Sequence, residues 1–185
     1  MKGIKGTLPN ILTFINLSLG IIAILLSVNE NTNEKINMLF YASLLIMIAA
    51  LTDRFDGKVA RMLDVSSELG KELDSLSDLI SFGVAPIIIA WKISFIHLGF
   101  AGYMLSLVFP IAGAFRLARY NTTSFNNVFM GMPITIAGAF LTIDNLYNTF
   151  AIMKNYYSII HALIAVVLVI ALSLMMVSKI RIKKI

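Results

Sequence analysis

Cysteine is absent from this 185-residue chain, which also contains only four prolines, two histidines and one tryptophan. Without cysteine, the chain can form neither a disulfide framework nor a thiolate metal site. Charged residues are scarce as well: they make up 14% of the chain, whereas soluble domains contain about a quarter. No polar linker or low-complexity segment divides the sequence. These absences argue against a soluble multidomain protein, and we expect a single domain over residues 1–185.

Apolar residues make up 58% of the chain, and the mean hydropathy is +0.86. They form six runs, each near the ~20 residues that a helix needs to cross ~30 Å of hydrocarbon. Helices are expected because an open sheet would leave backbone groups unpaired in lipid. We therefore predict an all-α integral membrane protein with six transmembrane helices. Their approximate ranges are 11–28, 36–55, 76–92, 95–115, 131–152 and 157–178.

Lysine and arginine are distributed unequally between the two sides of these predicted helices. Of the fifteen, only Lys35, Lys92 and Lys154 fall on one side, which leaves twelve on the other. Cytoplasmic loops of membrane proteins carry the excess of positive charge. The distribution predicts a multi-pass protein of the cell membrane with both termini in the cytoplasm. It also accounts for the net charge of +5 without a nucleic-acid partner.

Acidic residues are concentrated in one short stretch, since seven of the ten lie between Asp53 and Asp78. At 100° per residue, several of them share a helical face with small residues, on each of two successive helices. A tight turn near Ser66-Ser67 would make these helices antiparallel and bring four carboxylates together. The first face holds Asp53, Asp56, Gly57 and Ala60, and the second holds Gly70, Asp74 and Asp78.

Four carboxylates at close range repel one another, and burying them in a membrane is costly unless cations neutralise them. Carboxylate oxygens without nearby His or Cys suit hard ions, so Mg²⁺ or Mn²⁺ is favoured over zinc. His97 and His161 are predicted to lie toward the opposite side. The apolar helix that follows Asp78 places this carboxylate about a third of the way into the membrane. Such a site, open to the cytosol, suits the joining of a polar molecule to a lipid.

The spacing in this stretch resembles the signature of the CDP-alcohol phosphotransferases. Asp-x-x-Asp-Gly-x-x-Ala-Arg runs from Asp53 to Arg61, and Gly-x-x-x-Asp-x-x-x-Asp follows after eight residues, from Gly70 to Asp78. Every fixed position matches. The family is described as six-helix membrane enzymes, usually homodimers, that displace CMP from a CDP-linked lipid. The resemblance implies two divalent ions, and its four metal-binding positions are Asp53, Asp56, Asp74 and Asp78.

The resemblance also implies roles for single residues. Asp78 would be the general base on the acceptor hydroxyl, while Gly57 and Ala60 would make room for the cytidine nucleotide. From the residues alone, simple helix packing is the alternative explanation for Gly57 and Ala60. Arg61 can hold a phosphate or act as a positively charged anchor at the membrane surface. Asn10 belongs to a polar stripe on the first helix that can face the acidic site or form interhelical hydrogen bonds.

Residues outside the acidic stretch bear on the acceptor. They are similar to the bacterial and archaeal branch of the family that uses serine, so we expect L-serine as the acceptor. Arg116 or Arg119 can bind its carboxylate bidentately, although topology and lipid headgroups also explain these arginines. The matching segments are Pro9-Asn10 with Thr13 and Asn16, Leu79 to Pro86, Arg116 to Asn121, and Gly131 to Ile134.

Three other functions are compatible with parts of this pattern. A sister enzyme could use glycerol 3-phosphate or inositol phosphate, but a phosphorylated acceptor would require more cationic residues near the site. A divalent-cation transporter would need a relay across the membrane, and the outer half offers only Asp144 as an acid. An inert helical scaffold leaves four aligned aspartates unexplained. The lipid tails, diacylglycerol or archaeal ether chains, do not follow from the sequence.

Overall fold

The computed structural model describes residues 2–29, 34–63, 67–122, 128–179 and 181–183, with side chains for 10–29, 34–54, 67–122 and 131–179. Nearly all of these residues are helical, which confirms the predicted all-α class. Strands β1 (Val128–Met130) and β2 (Arg181–Lys183) form a short antiparallel pair. The helices are α1 (Lys2–Val28), α2 (Lys35–Leu63), α3 (Glu68–Asp78), α4 (Ala85–Ala90), α5 (Phe100–Thr122), α6 (Ile134–Met153) and α7 (Ile159–Val177).

Helices α3 and α4 belong to one continuous helical stretch, Glu68–Leu98. It is longer at both ends than the predicted range of 76–92. It begins early because Ser67 caps it: the Ser67 hydroxyl accepts a hydrogen bond from the Gly70 N–H at 3.0 Å. It ends at Gly99, whose φ of +55° suits a residue without a side chain. The second acidic face, which was predicted to be helical, therefore lies in the same continuous stretch as the apolar residues that follow it.

The α-helical geometry of this stretch is interrupted by the π-helical segment Leu79–Val84, directly after Asp78. Pro86 follows within one turn and has no N–H to offer the carbonyl of Phe82. Single π-helical turns are frequent at functional sites. Here the irregular segment separates the acidic half of the stretch from its apolar half.

Five helical stretches within the described residues are long and apolar enough to cross a membrane. Helix α6 is also 20 residues long, but polar residues such as Asp144, Asn145 and Asn148 lower its hydropathy. A multi-pass membrane protein is therefore supported, while a sixth span stays a prediction. The five stretches are Asn10–Val28, Lys35–Arg54, Glu68–Leu98, Phe100–Thr122 and Ile159–Val177.

Small residues let α1 and α6 approach the central stretch closely. A Cβ added to Gly20 of α1 would come within 2.8 Å of the Ser81 Cα, and one added to Gly138 of α6 would come within 2.9 Å of the Phe82 Cα. Both glycines therefore serve close helix packing, which membrane helices achieve with small residues. These contacts place α1 and α6 on the π-helical segment that follows Asp78.

Aromatic residues gather at the end of the bundle away from the aspartates. The rings of Tyr147 and His161 stack at 5.6 Å, and the Ser94 and Tyr157 hydroxyls lie 2.9 Å apart. Trp91 stands thirteen residues after Asp78, which is ~20 Å of helix. Tyrosine and tryptophan are typical of membrane–water interfaces. The acidic cluster and this aromatic cluster therefore mark opposite ends of the bundle.

Candidate metal centre

The structure brings together three of the four predicted aspartates. Asp53 comes from α2, and Asp74 and Asp78 come from consecutive turns of α3. One carboxylate oxygen of each lies within 4.8 Å of the corresponding oxygens of the other two. The spacing of four residues places Asp74 and Asp78 on one face, and this face meets α2 at Asp53. Helices α2 and α3, which are consecutive in the chain, thus supply one cluster.

Asp56 lies on α2 one turn after Asp53, and its backbone is helical. Its side chain falls outside the part of the chain whose side chains are described, as do those of Gly57, Ala60 and Arg61. The predicted metal role of Asp56 and the predicted nucleotide and phosphate contacts of the other three therefore stay predictions.

The surroundings of the three aspartates disfavour negative charge. Asp78 is only 9% exposed, and Asp53 and Asp74 are half-buried. The Asp53 carboxylate is within hydrogen-bonding reach of Asp78 and of the Thr135 hydroxyl. Two ionised carboxylates have no proton to share, so at this distance they repel each other, and burial strengthens the repulsion.

One carboxylate oxygen in this cluster, Oδ1 of Asp74, is buried and has no hydrogen-bond partner among the described residues. A buried acceptor without a partner costs about 1–3 kcal/mol, and more when it is charged. A bound divalent cation would satisfy this oxygen and cancel the repulsion between the carboxylates. Because the donors are all oxygens, the residues fit a hard cation.

Arg116 is a buried cation close to the cluster. It lies in α5 and is 7% exposed, and among the charged groups around it Asp78 attracts it and Arg119 repels it. The guanidinium carbon stands 5.6 Å from the centroid of the Tyr120 ring. Its Nε has no hydrogen-bond partner in the described parts of the chain. The structure therefore places Arg116 near Asp78.

Arg119 has different surroundings. Its guanidinium donates hydrogen bonds to the carbonyls of Val177 at 3.0 Å, Ser178 at 3.1 Å and Met176 at 3.4 Å. Carbonyls at the end of a helix lack intrahelical donors, so Arg119 caps α7 from α5. Gly131, with a φ of +73°, packs against the same carbonyls and guanidinium. The predicted contact of Arg119 with substrate stays a prediction.

The polar stripe of α1 contacts α3 at two levels. The Asn10 Oδ1 lies next to Gly70, 3.3 Å from where a Cβ would stand. Asn10 is thus near the start of α3, and its predicted contact with substrate stays a prediction. Asn16 lies deeper, and its Nδ2 donates to Asp78 Oδ1 at 3.5 Å. From the sequence, Asn16 could not be separated from a residue that only packs between helices.

Thr135 is a site residue that the sequence did not reveal. It opens α6, directly after the Gly131 to Ile134 segment, and its hydroxyl reaches Asp53. A threonine in the first turn of a membrane helix carries no signal of its own, because threonine is common there as a packing residue. Only the contact between α2 and α6 assigns it to the cluster.

A groove between α2 and α6 adjoins the cluster and has a volume of about 360 Å³. Its polar lining residues are Asp53, Arg54 and Thr135, so it is continuous with the aspartates, and the rest of its wall is apolar. The lining residues are Ala50, Asp53, Arg54, Thr135, Ile136, Ala139, Phe140 and Ile143.

Comparison with known proteins agrees with this geometry. The sequence model of the family described as CDP-alcohol phosphatidyltransferase matches residues 6–177 of the chain. The chain belongs to the CDP-alcohol phosphatidyltransferase family. The predicted membership is therefore confirmed, and the match includes all three clustered aspartates and both arginines of α5.

Several members of the family with assigned activities are similar to this chain. The CDP-diacylglycerol–serine O-phosphatidyltransferase of Bacillus subtilis is 35% identical over 137 residues, which cover 74% of this chain and 73% of that protein. The archaetidylserine synthase of Methanothermobacter thermautotrophicus is 35% identical over 177 residues, or 94% and 68% of the two chains. The CDP-diacylglycerol–serine O-phosphatidyltransferase of Methanocaldococcus jannaschii is 33% identical over 178 residues, or 96% and 74%.

Proposed function

We propose that this protein transfers a phosphatidyl group, or its archaeal ether-lipid equivalent, from a CDP-lipid to the hydroxyl of L-serine and releases CMP. The observation that carries the proposal is the convergence of Asp53, Asp74 and Asp78 within 4.8 Å in a member of this family. The names of the relatives in Bacillus subtilis and Methanothermobacter thermautotrophicus support serine as the acceptor.

In this proposal, Asp53, Asp74 and Asp78, together with Asp56, hold two Mg²⁺ or Mn²⁺ ions. Such ions, when bound, neutralise the pyrophosphate and stabilise the departing CMP. The clustered side chains of α2 and α3 set the position of the donor phosphates. In α2, Gly57 and Ala60 leave space for the cytidine, and Arg61 holds a phosphate.

Asp78 acts as the general base. The serine hydroxyl oxygen attacks the phosphorus that carries the lipid, and its proton passes to the Asp78 carboxylate. The bond between this phosphorus and the bridging oxygen breaks, and CMP leaves with the electron pair. A carboxylate suits this role because it is held beside the donor phosphates. No covalent intermediate on the enzyme is needed.

The groove between α2 and α6 supports a lipid as the donor. It begins at Asp53 and Thr135 and continues along Ala139 and Phe140, so a polar headgroup and an apolar tail can bind in continuous space. Phe140 is 50% exposed on the outside of the bundle, where acyl or ether chains of the membrane would lie. The tail chemistry does not follow from apolar side chains.

For the acceptor, we propose that Arg116 binds the serine carboxylate and that Asn10 contributes to the polar wall. Arg116 is favoured over Arg119 because its neighbour is Asp78, whereas Arg119 is hydrogen-bonded to the end of α7. A planar guanidinium can bind a carboxylate bidentately.

Arg116→Ala is expected to raise the KM for serine by roughly 10-fold or more, since a charged hydrogen bond contributes about 1.5–3 kcal/mol. The KM for the CDP-lipid should change much less. Arg119→Ala is the matched control: it should lower the Tm through lost bonds to α7 and change the serine KM less. Steady-state kinetics in detergent with both substrates varied would measure these effects. An unchanged serine KM in Arg116→Ala would reject the assignment.

The function itself is tested by incubating the purified protein with CDP-diacylglycerol, or with its archaeal ether-lipid equivalent, and one alcohol at a time while CMP release is followed. The panel contains L-serine, glycerol 3-phosphate and inositol phosphate. We expect CMP release to depend on L-serine. Release that depends on a phosphorylated alcohol would replace the acceptor but keep the reaction, and no alcohol-dependent release would reject the proposed transferase.

We further propose that residues 1–185 form one membrane domain whose active site and termini face the cytoplasm, and that two copies form a homodimer. The distribution of lysine and arginine supports the orientation, and the family resemblance supports the dimer. Labelling of single introduced cysteines in oriented membranes would test the orientation, since the chain has no cysteine of its own. Crosslinking in native membranes would test the dimer.

A further inference from the structure

We propose that Asn16 of α1 supplies a neutral oxygen ligand to the same cation site. The inference rests on the proposed metal site and extends it to a third helix. Asn16 is completely buried, its Nδ2 donates to Asp78 Oδ1 at 3.5 Å, and its Oδ1 has no hydrogen-bond partner within the described residues. The two amide atoms share one carbon, so this unpartnered oxygen lies beside the Asp78 carboxylate.

Two serines hold α1 in this position. The Ser77 hydroxyl donates to the carbonyl of Thr13 at 3.1 Å, and the Ser81 hydroxyl donates to the carbonyl of Asn16 at 3.0 Å. Both serines are fully buried, and they flank Asp78 along the central helical stretch. The backbone of α1 is thus bound to that stretch on both sides of Asp78, which directs the Asn16 side chain at the acidic cluster.

The chemistry of the Asn16 oxygen favours a cation as its partner. A buried amide oxygen without a hydrogen bond is costly, and the acceptors around it, the carboxylates, have no proton to give when ionised. Amide carbonyls are regular ligands of hard divalent cations, together with carboxylates. The oxygen is sealed from solvent, so an ion fits there better than a whole serine molecule does. One cation beside Asp78 would satisfy this oxygen.

The Nδ2 donor and the Oδ1 acceptor of Asn16 can be tested separately with two substitutions of similar size. Asn16→Asp keeps an oxygen ligand but removes the N–H donor to Asp78. Asn16→Leu removes both. If Asn16 only orients Asp78 through its N–H, both variants should lose metal affinity; if its oxygen binds the cation, Asn16→Asp should keep it.

The experiment measures Mn²⁺ binding to the purified full-length protein in detergent, without substrates, by electron paramagnetic resonance. We expect Asn16→Leu to weaken Mn²⁺ binding about tenfold or more, the scale seen when groups of a metal site are lost. Asn16→Asp should bind Mn²⁺ at least as tightly as the wild type. Thermal unfolding with and without Mn²⁺ checks that each variant is folded, and Asn16→Ala replaces the leucine variant if that one does not fold.

Asn148→Leu is the matched control. Asn148 is 1% exposed, donates to a carboxylate, Asp144, at 2.8 Å, and also has an Oδ1 without a partner in the described residues. It stands thirteen residues after Thr135, ~20 Å along α6. Asn148→Leu should therefore leave Mn²⁺ affinity unchanged. Its Tm shows how much stability is lost when a buried asparagine is removed.

Each other outcome overturns the inference. Equal weakening in Asn16→Asp and Asn16→Leu would reduce Asn16 to a positioning residue for Asp78. Unchanged Mn²⁺ affinity in both Asn16 variants would show that Asn16 does not contribute to the metal site. If the wild-type protein binds no Mn²⁺, the proposed metal centre itself is rejected. This result differs from a failure of the Asn16 inference alone, in which the wild-type protein still binds Mn²⁺.

Discussion

Asp78→Asn is expected to lower turnover by ~10²-fold or more, the scale on which a general acid or base contributes. Asparagine has nearly the same shape but cannot accept the proton of the attacking hydroxyl. Asp78 is also a member of the aspartate cluster, so the variant should lose some metal affinity. CMP release is therefore measured at saturating Mg²⁺ and at saturating substrates, where the remaining deficit reports the lost base.

The matched control for this variant is Asp144→Asn. Asp144 is likewise a partly buried carboxylate next to an asparagine, Asn148, but it lies toward the other end of α6. Its substitution should leave turnover nearly unchanged, because Asp144 is not among the clustered aspartates. Near-normal turnover in a folded Asp78→Asn protein would reject Asp78 as the base.

Removal of divalent cations is expected to abolish CMP release, and Mg²⁺ or Mn²⁺ should restore it. The loss should exceed that of any single substitution, since bound cations both position the pyrophosphate and stabilise the leaving group. The carboxylates of Asp53 and Asp78 lie within hydrogen-bonding reach of each other. Without bound cations the carboxylates repel the anionic substrate.

The measurement uses protein treated with EDTA, passed through a desalting column and then titrated with each metal. Asp74→Asn should raise the Mg²⁺ concentration for half-maximal activity about tenfold or more, with a smaller effect on the rate at saturating metal. Asp144→Asn should leave the Mg²⁺ concentration for half-maximal activity unchanged. Full activity after exhaustive chelation, or equal metal dependence of Asp74→Asn and the wild type, would contradict a catalytic metal centre at these aspartates.

Local patterns were sufficient for the helical class and for the acidic face of α3. Residues four apart on a helix share a face whatever surrounds them, so Asp74 and Asp78 could be paired from spacing alone. The motif from Asp53 to Asp78 also indicated the family that the comparison confirmed. The start of the third helix was placed too late, because a window of hydropathy does not register a polar first turn that Ser67 caps.

The two arginines of α5 show where sequence reasoning stops. Arg116 and Arg119 are three residues apart, carry the same charge and were equivalent candidates for the serine carboxylate. In the structure, Arg116 faces Asp78, whereas Arg119 reaches the carbonyls at the end of α7. That difference depends on which helices flank each side of α5, and helix neighbours are not encoded in the spacing within one helix.

The amino-acid sequence by itself determined the membrane class, the acidic face of α3 and the family, because all three depend on composition and on distances along one or two adjacent helices. Tertiary structure alone decided that Asn16 and Thr135 join the aspartates and that a groove between α2 and α6 leads to them. These contacts connect residues up to about eighty positions apart, and their geometry is set by the close packing that Gly20 and Gly138 permit.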